Sequence, residues 1–96
     1  MVRRRASSVI RKIKQCAKDG LLLFSDHARR EMNDDGFNEA DVSSAVRSGE
    51  PVARLSHGGR GTRYVLQGPA VDGRRMDTVC RISGDSVRIV TVYRVY

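Results

Sequence analysis

Gly36-Phe37-Asn38-Glu39-Ala40-Asp41-Val42-Ser43-Ser44-Ala45-Val46-Arg47-Ser48-Gly49-Glu50-Pro51 is the stretch at which the chain changes its period. Asn38 is a natural N-cap, because its side-chain oxygen can accept from a backbone N–H that the first turn of a helix leaves unpaired. Asp41, three residues on, supplies the reciprocal partner of a capping box, and Phe37 with Val42 can form a hydrophobic staple. A helix is therefore predicted over 39–48, burying Val42, Ala45 and Val46 and ending at Gly49 and Pro51. Upstream of it the apolar residues recur every three to four positions; downstream they recur at every second one.

Upstream, Val9, Ile10, Ile13, Cys16 and Ala17 make an apolar stripe over residues 7–19, with Arg11, Lys12, Lys14 and Lys18 on the other side. Gly20 ends this helix. The run Leu21-Leu22-Leu23-Phe24 that follows reads either as an edge strand or as an extended, buried lead-in. Ser25 or Asp26 caps a further helix over about 26–34, in which Phe24, Ala28 and Met32 share a face.

Downstream, residues 52–55 and 63–67 alternate as strands, joined by the glycine-rich loop Ser56-His57-Gly58-Gly59-Arg60-Gly61. Residues 75–83 and 87–95 are two longer strands around a tight Gly84-Asp85 turn, the last β-branched on both faces and therefore central. The expected architecture is α+β, with N-terminal helices packed on one face of a three- to four-stranded antiparallel sheet. At 96 residues the chain is one domain, with residues 1–6 as a flexible basic arm.

Charge is unevenly placed. Residues 1–20 carry +6, residues 21–51 carry −4 and residues 52–96 carry +5, for a total of +7. The C-terminal part uses arginine alone, whose planar fork of donors matches phosphate, so an anionic partner is indicated and RNA first. An arginine-rich genome would produce the same bias. No apolar run approaches the roughly 20 residues of a membrane span. Cys16 and Cys80 have no histidine or second thiol at ligand spacing, which points to buried thiols in a reducing cytoplasm and to no structural zinc.

Two groups of residues could carry chemistry. If one sheet face packs on the helices, alternation gathers Arg75, Arg81, Arg88 and Arg94 on the other, with Arg63 beside them and Tyr96 placed to stack on a base. The competing reading is a solvated face on which arginine stems cover Val79 and Val90. The second group centres on His27 at the start of the second helix, with Arg30 and Glu31 within reach. The positive end of a helix disfavours imidazolium, which suits either a base or a hydrogen-bonding anchor that pins the helix to its neighbours. No acidic cluster is spaced as a metal cage, so no cofactor is expected and any catalysis would be metal-free acid–base work.

The motifs F-S-D-H-A-x-x-x-M (24–32), G-F-x-x-x-D-V (36–42), V-D-G-R-R-M-D-T-V (71–79) and I-V-T-V-Y (89–93) resemble a small bacterial family of unknown function. Its members are often encoded beside MqsA-like zinc-finger antitoxins, and it is similar to the RelE/MqsR/BrnT group of toxin ribonucleases. The resemblance implies a RelE-like fold and a type II toxin that cleaves mRNA, at the ribosome or free of it, with the ribose 2′-OH as nucleophile. An acidic antitoxin would be its protein partner. By position it implies His27 as base, Tyr93 as acid or positioner, and Arg74 as a basic residue at the phosphate. Arg30, Arg63 and Arg81 would stabilise the phosphate, with Arg75, Arg94 and Tyr96 extending the binding surface. The chain departs from the pattern at Glu31 and Asp35, commonly basic, and at Asp77, commonly histidine. A non-catalytic RNA- or protein-binding module is the alternative, and the oligomeric state stays open.

Overall fold

A computed structural model describes residues 3–56 and 61–96, with side chains from Ser8 onward. The Gly-rich loop expected around His57 therefore lies largely outside the described residues. The elements run α1 (Arg3–Lys18), β1 (Leu22–Phe24), α2 (Asp26–Asp35), α3 (Glu39–Ser48), β2 (Glu50–Ser56), β3 (Thr62–Pro69), β4 (Arg75–Ser83) and β5 (Ser86–Arg94). The fold is α+β. The first helix begins at Arg3 rather than residue 7, so only residues 1 and 2 of the expected basic arm precede it.

Local chemistry accounts for the helix ends. Ser25 caps α2 by accepting from the Ala28 N–H, and Gly36 closes it in the left-handed conformation, at φ 70°. The α3 capping box is complete: Asn38 and Asp41 each take the other's backbone N–H. Asp41, buried, also accepts from the Val71 N–H, which ties the helix to the β3–β4 loop. The last carbonyls of α3 are held by Lys14 from α1, whose ammonium donates to Arg47 O and Gly49 O.

The sheet has five strands in the order β1-β5-β4-β3-β2, and it is mixed. The expected three to four antiparallel strands are corrected by Leu22–Phe24, which pairs parallel with β5 as an edge strand. Three apolar residues cannot by alternation separate an edge strand from a buried lead-in, and the pairing with Val87–Ile89 decides for the edge strand. β5 lies between β1 and β4, an interior position.

One core cluster joins Ile13, Ala28, Met32, Val42 and Val46 of the helices to Leu66, Met76, Cys80, Val87, Ile89 and Val92 of the sheet. The three helices therefore cover one face. Cys16 and Cys80 are free and buried, and burial pushes the Cys80 thiol up to about 12, which makes it inert. Thr78 is fully buried between its strand partners Leu66 and Val92, and its hydroxyl has no hydrogen-bond partner among the described residues. Thr78→Val, which removes that stranded hydroxyl at nearly constant volume, is expected to stabilise the fold by about 1 kcal/mol. Thermal unfolding followed by circular dichroism should show a rise of about 4–8 °C; a fall would mean that the hydroxyl is satisfied.

Candidate nucleic-acid interface on the open sheet face

Strict alternation along residues 87–95 would place Tyr93 with Val87 and Ile89, and Arg94 with Arg88. The register shows otherwise. Cys80 pairs with Ile89 and Val79 with Thr91, so Val90 is an extra residue, a β-bulge. Beyond it the faces exchange. Val92 joins Val87 and Ile89 in the core, while Thr91 and Tyr93 move to the open face. Arg94 pairs with Met76, which is buried against the helices, so Arg94 leaves the open face and stacks on Tyr96 at 4.7 Å. The expected grouping of Arg94 and Tyr96 with Arg81 and Arg88 is thereby corrected.

Arg81 and Arg88 are directly opposed partners on β4 and β5. One step beyond the Tyr64–Cys80 pair, the register sets Arg63 of β3 beside Arg81. The row runs across the strands from Leu23, paired with Arg88, to Leu55, paired with Arg63. All three arginines are half-buried, and none has a carboxylate partner among the described residues. The Arg63 Nε is buried without an acceptor among the described residues. Like charges opposed across a strand pair are destabilising, so this row is a standing electrostatic cost. Behind it Val65 and Val79 are buried although they lie outside the core cluster, so the open face is partly roofed by its own side chains, as the solvated-face reading also requires.

The second group assembles at the α2–β5 edge. His27 is 61% exposed, and its Nε2 lies 3.3 Å from Glu31 Oε1. Glu31 also accepts from the Val92 N–H at 3.0 Å. Tyr93 pairs with Asp77, whose carboxylate is held by Gln67 at 2.9 Å. The Tyr93 hydroxyl is pushed up by partial desolvation, then by the neighbouring Asp77 carboxylate, and further by Glu31. It therefore stays protonated at neutral pH and is a proton donor, not a base.

The three residues expected to be catalytic thus divide. His27 and Tyr93 share the neighbourhood of Glu31, whereas Arg81 lies four residues along β4 from Asp77, about 13 Å away at strand rise. Arg75, exposed and two residues from Asp77 on the same face, is the diagonal neighbour of Tyr93 and stands closer to it along β4 than Arg81 does. Its position two residues before Asp77 was visible in the sequence; its nearness to Tyr93 depended on the bulge. Arg30 is exposed on α2 with no ion pair among the described residues. Arg74, expected at the phosphate, serves in the structure as a clamp on the end of α2. Its guanidinium donates to Asp35 O, Gly36 O and Asp72, each at 2.8 Å, and lies over Phe37 at 4.5 Å. With its fork taken by the end of α2, it has little left for a substrate.

An α+β domain with three helices on one face of an open mixed sheet, and an unpaired arginine row on the other, defines the class. The chain belongs to the family described as a domain of unknown function, DUF4258, whose model matches residues 24–94. The match starts at Phe24, so α1 precedes it. No curated protein matches the chain, and no solved structure does. Among the described residues no helix is long and apolar enough to cross a membrane, and no group of three or more His, Cys, Asp or Glu side chains could hold a metal ion.

Proposed function

We propose that this protein is the toxin of a bacterial toxin–antitoxin pair, a metal-independent endoribonuclease that holds mRNA on the open face of its sheet. The observation that carries the reading is the row Arg63, Arg81 and Arg88, crowded together with no carboxylate partner among the described residues. An RNA backbone would relieve that repulsion and give the Arg63 Nε an acceptor. At the edge, His27 would take the proton of a ribose 2′-OH as the 2′-oxygen bonds to phosphorus. The bond from phosphorus to the 5′-oxygen breaks, and that oxygen takes a proton from Tyr93. The products are a 2′,3′-cyclic phosphate and a 5′-hydroxyl, and both side chains are reset by water. Arg75 is the arginine placed to neutralise the phosphate there.

The partner in this reading is an acidic antitoxin. β2 lies at the far edge of the sheet with all seven of its residues exposed, including Val52 and Leu55, and offers backbone groups for strand addition. An acidic segment leaving that edge would reach Arg63 first and mask the row that RNA uses.

The test is titration of single-stranded RNA at several salt concentrations, with a cleavage gel on the same samples. A variant carrying Arg63→Gln, Arg81→Gln and Arg88→Gln keeps part of each stem over the valines and loses three charges. It should bind at least about a hundredfold more weakly, with a log–log salt slope shallower by about 2. An unchanged slope would make the face a solvated surface. The distance of Arg81 from Tyr93 favours a second reading, a non-catalytic RNA-binding module, and binding without cleavage products would select it.

A further inference from the structure

Glu31 stands where the resemblance leads one to expect a basic residue, and the structure gives it a position no basic residue could take. β1 ends at Phe24, and Ser25 continues the edge only as far as Ile89 O and Val90 O. From there the outer edge of β5 has no strand beside it among the described residues. Glu31 Oε1 fills the place of the missing carbonyl by accepting from the Val92 N–H. The same oxygen lies 3.3 Å from His27 Nε2, one helical turn away on α2. A carboxylate anchored to the sheet backbone therefore faces one nitrogen of an exposed imidazole.

We propose that Glu31 is the positioning residue for His27, holding it in the tautomer protonated at Nε2 and leaving Nδ1 as its sole proton acceptor. An ionised carboxylate can only accept, so the nitrogen facing it must carry the hydrogen. In a neutral imidazole the other nitrogen then carries the lone pair. The β5 backbone fixes the carboxylate and the carboxylate fixes the ring, so the acceptor is aimed by the sheet rather than by the helix alone. The charge of Glu31 also raises the Tyr93 hydroxyl, so one carboxylate acts on both the candidate base and the candidate acid. The proposal rests on the reading of His27 as general base for its catalytic meaning, but the tautomer is observable without any reaction.

Long-range proton–nitrogen spectra of the full chain, labelled with nitrogen-15 and recorded above the ordinary histidine titration range, report the tautomer directly. The two histidines are assigned with His57→Asn. The wild type should show His27 as a single form with Nε2 protonated, Glu31→Ala a mixture of both forms, and Glu31→Gln, whose amide oxygen can still accept, a return toward the single form. Glu31→Ala should also slow single-turnover RNA cleavage at least about tenfold with the RNA concentration dependence unchanged. In a His27→Ala background it should have almost no further effect. A tautomer mixture in the wild type, or one unaltered by Glu31→Ala, would overturn the positioning role. The expected tautomer shift in a wild type that cleaves no RNA would confirm it while rejecting the ribonuclease reading alone.

Discussion

His27→Ala is expected to slow RNA cleavage by about 10²–10⁴-fold, the range for removing a positioned acid or base. The melting temperature should barely change, because the side chain is 61% exposed and its ion-pair contact among the described residues is to Glu31. This combination separates a catalytic histidine from one that pins α2 to its neighbours. Ala28 and Met32 already bury the helix, and Ser25 and Gly36 already close its ends. Little of the attachment is left for His27 to supply. The measurement is growth and mRNA integrity in a heterologous bacterium expressing wild type or variant, beside thermal unfolding of both purified proteins. Healthy growth with intact mRNA in both strains would remove the toxin reading; a melting point lowered by several degrees would return His27 to a structural role.

The second large effect concerns stability. Gly68→Ala should lower the unfolding free energy by about 3 kcal/mol, the upper part of the range for overpacking a closed site. A Cβ at Gly68 would overlap the Ala45 carbonyl oxygen and lie 2.8 Å from the Gly49 Cα. All of these are backbone atoms, so no side chain can rotate away. Gly49 has the reciprocal problem, since a Cβ there would meet the same Ala45 oxygen and lie 2.9 Å from Gln67 O. The end of α3 and the end of β3 touch through two glycines, and that contact sets how closely the helix layer sits on the sheet. Against a total of about 5–15 kcal/mol for a domain of this size, such a loss lowers the melting temperature by about 10–20 °C. Calorimetry checks it, and a shift under about 3 °C would mean that α3 can lift from β3 without penalty.

Capping and alternation are short-range. Asn38 and Asp41, Ser25 and Gly36 satisfy backbone groups within three or four residues, so α2 and α3 could be placed from local sequence to within a residue. The helix-then-sheet order and the buried thiols follow from the same local patterns. The candidate site was only half readable. His27, Arg63, Arg75, Arg81 and Tyr93 could be picked out by residue type, but not which of them stand together.

The groupings were decided in three dimensions. Alternation predicts a strand's faces only while every residue has one partner. The extra residue at Val90 exchanges the faces beyond it, bringing Tyr93 toward Arg75 and Asp77 and taking Arg94 away. Nothing local marks the slip, because Val87, Ile89, Val90, Val92 and Val95 are apolar on either parity. β1 is likewise a strand only because β5 offers it an edge. Arg74 reads as a phosphate ligand until Asp35 and Gly36, thirty-nine and thirty-eight residues away, present their carbonyls to it. Glu31 reads as a lost positive charge until the end of β1 leaves the Val92 N–H in need of an acceptor. Hydrogen bonds within one turn are specified by neighbouring residues, whereas strand register and the partner of a long charged side chain depend on which distant backbone is left unpaired.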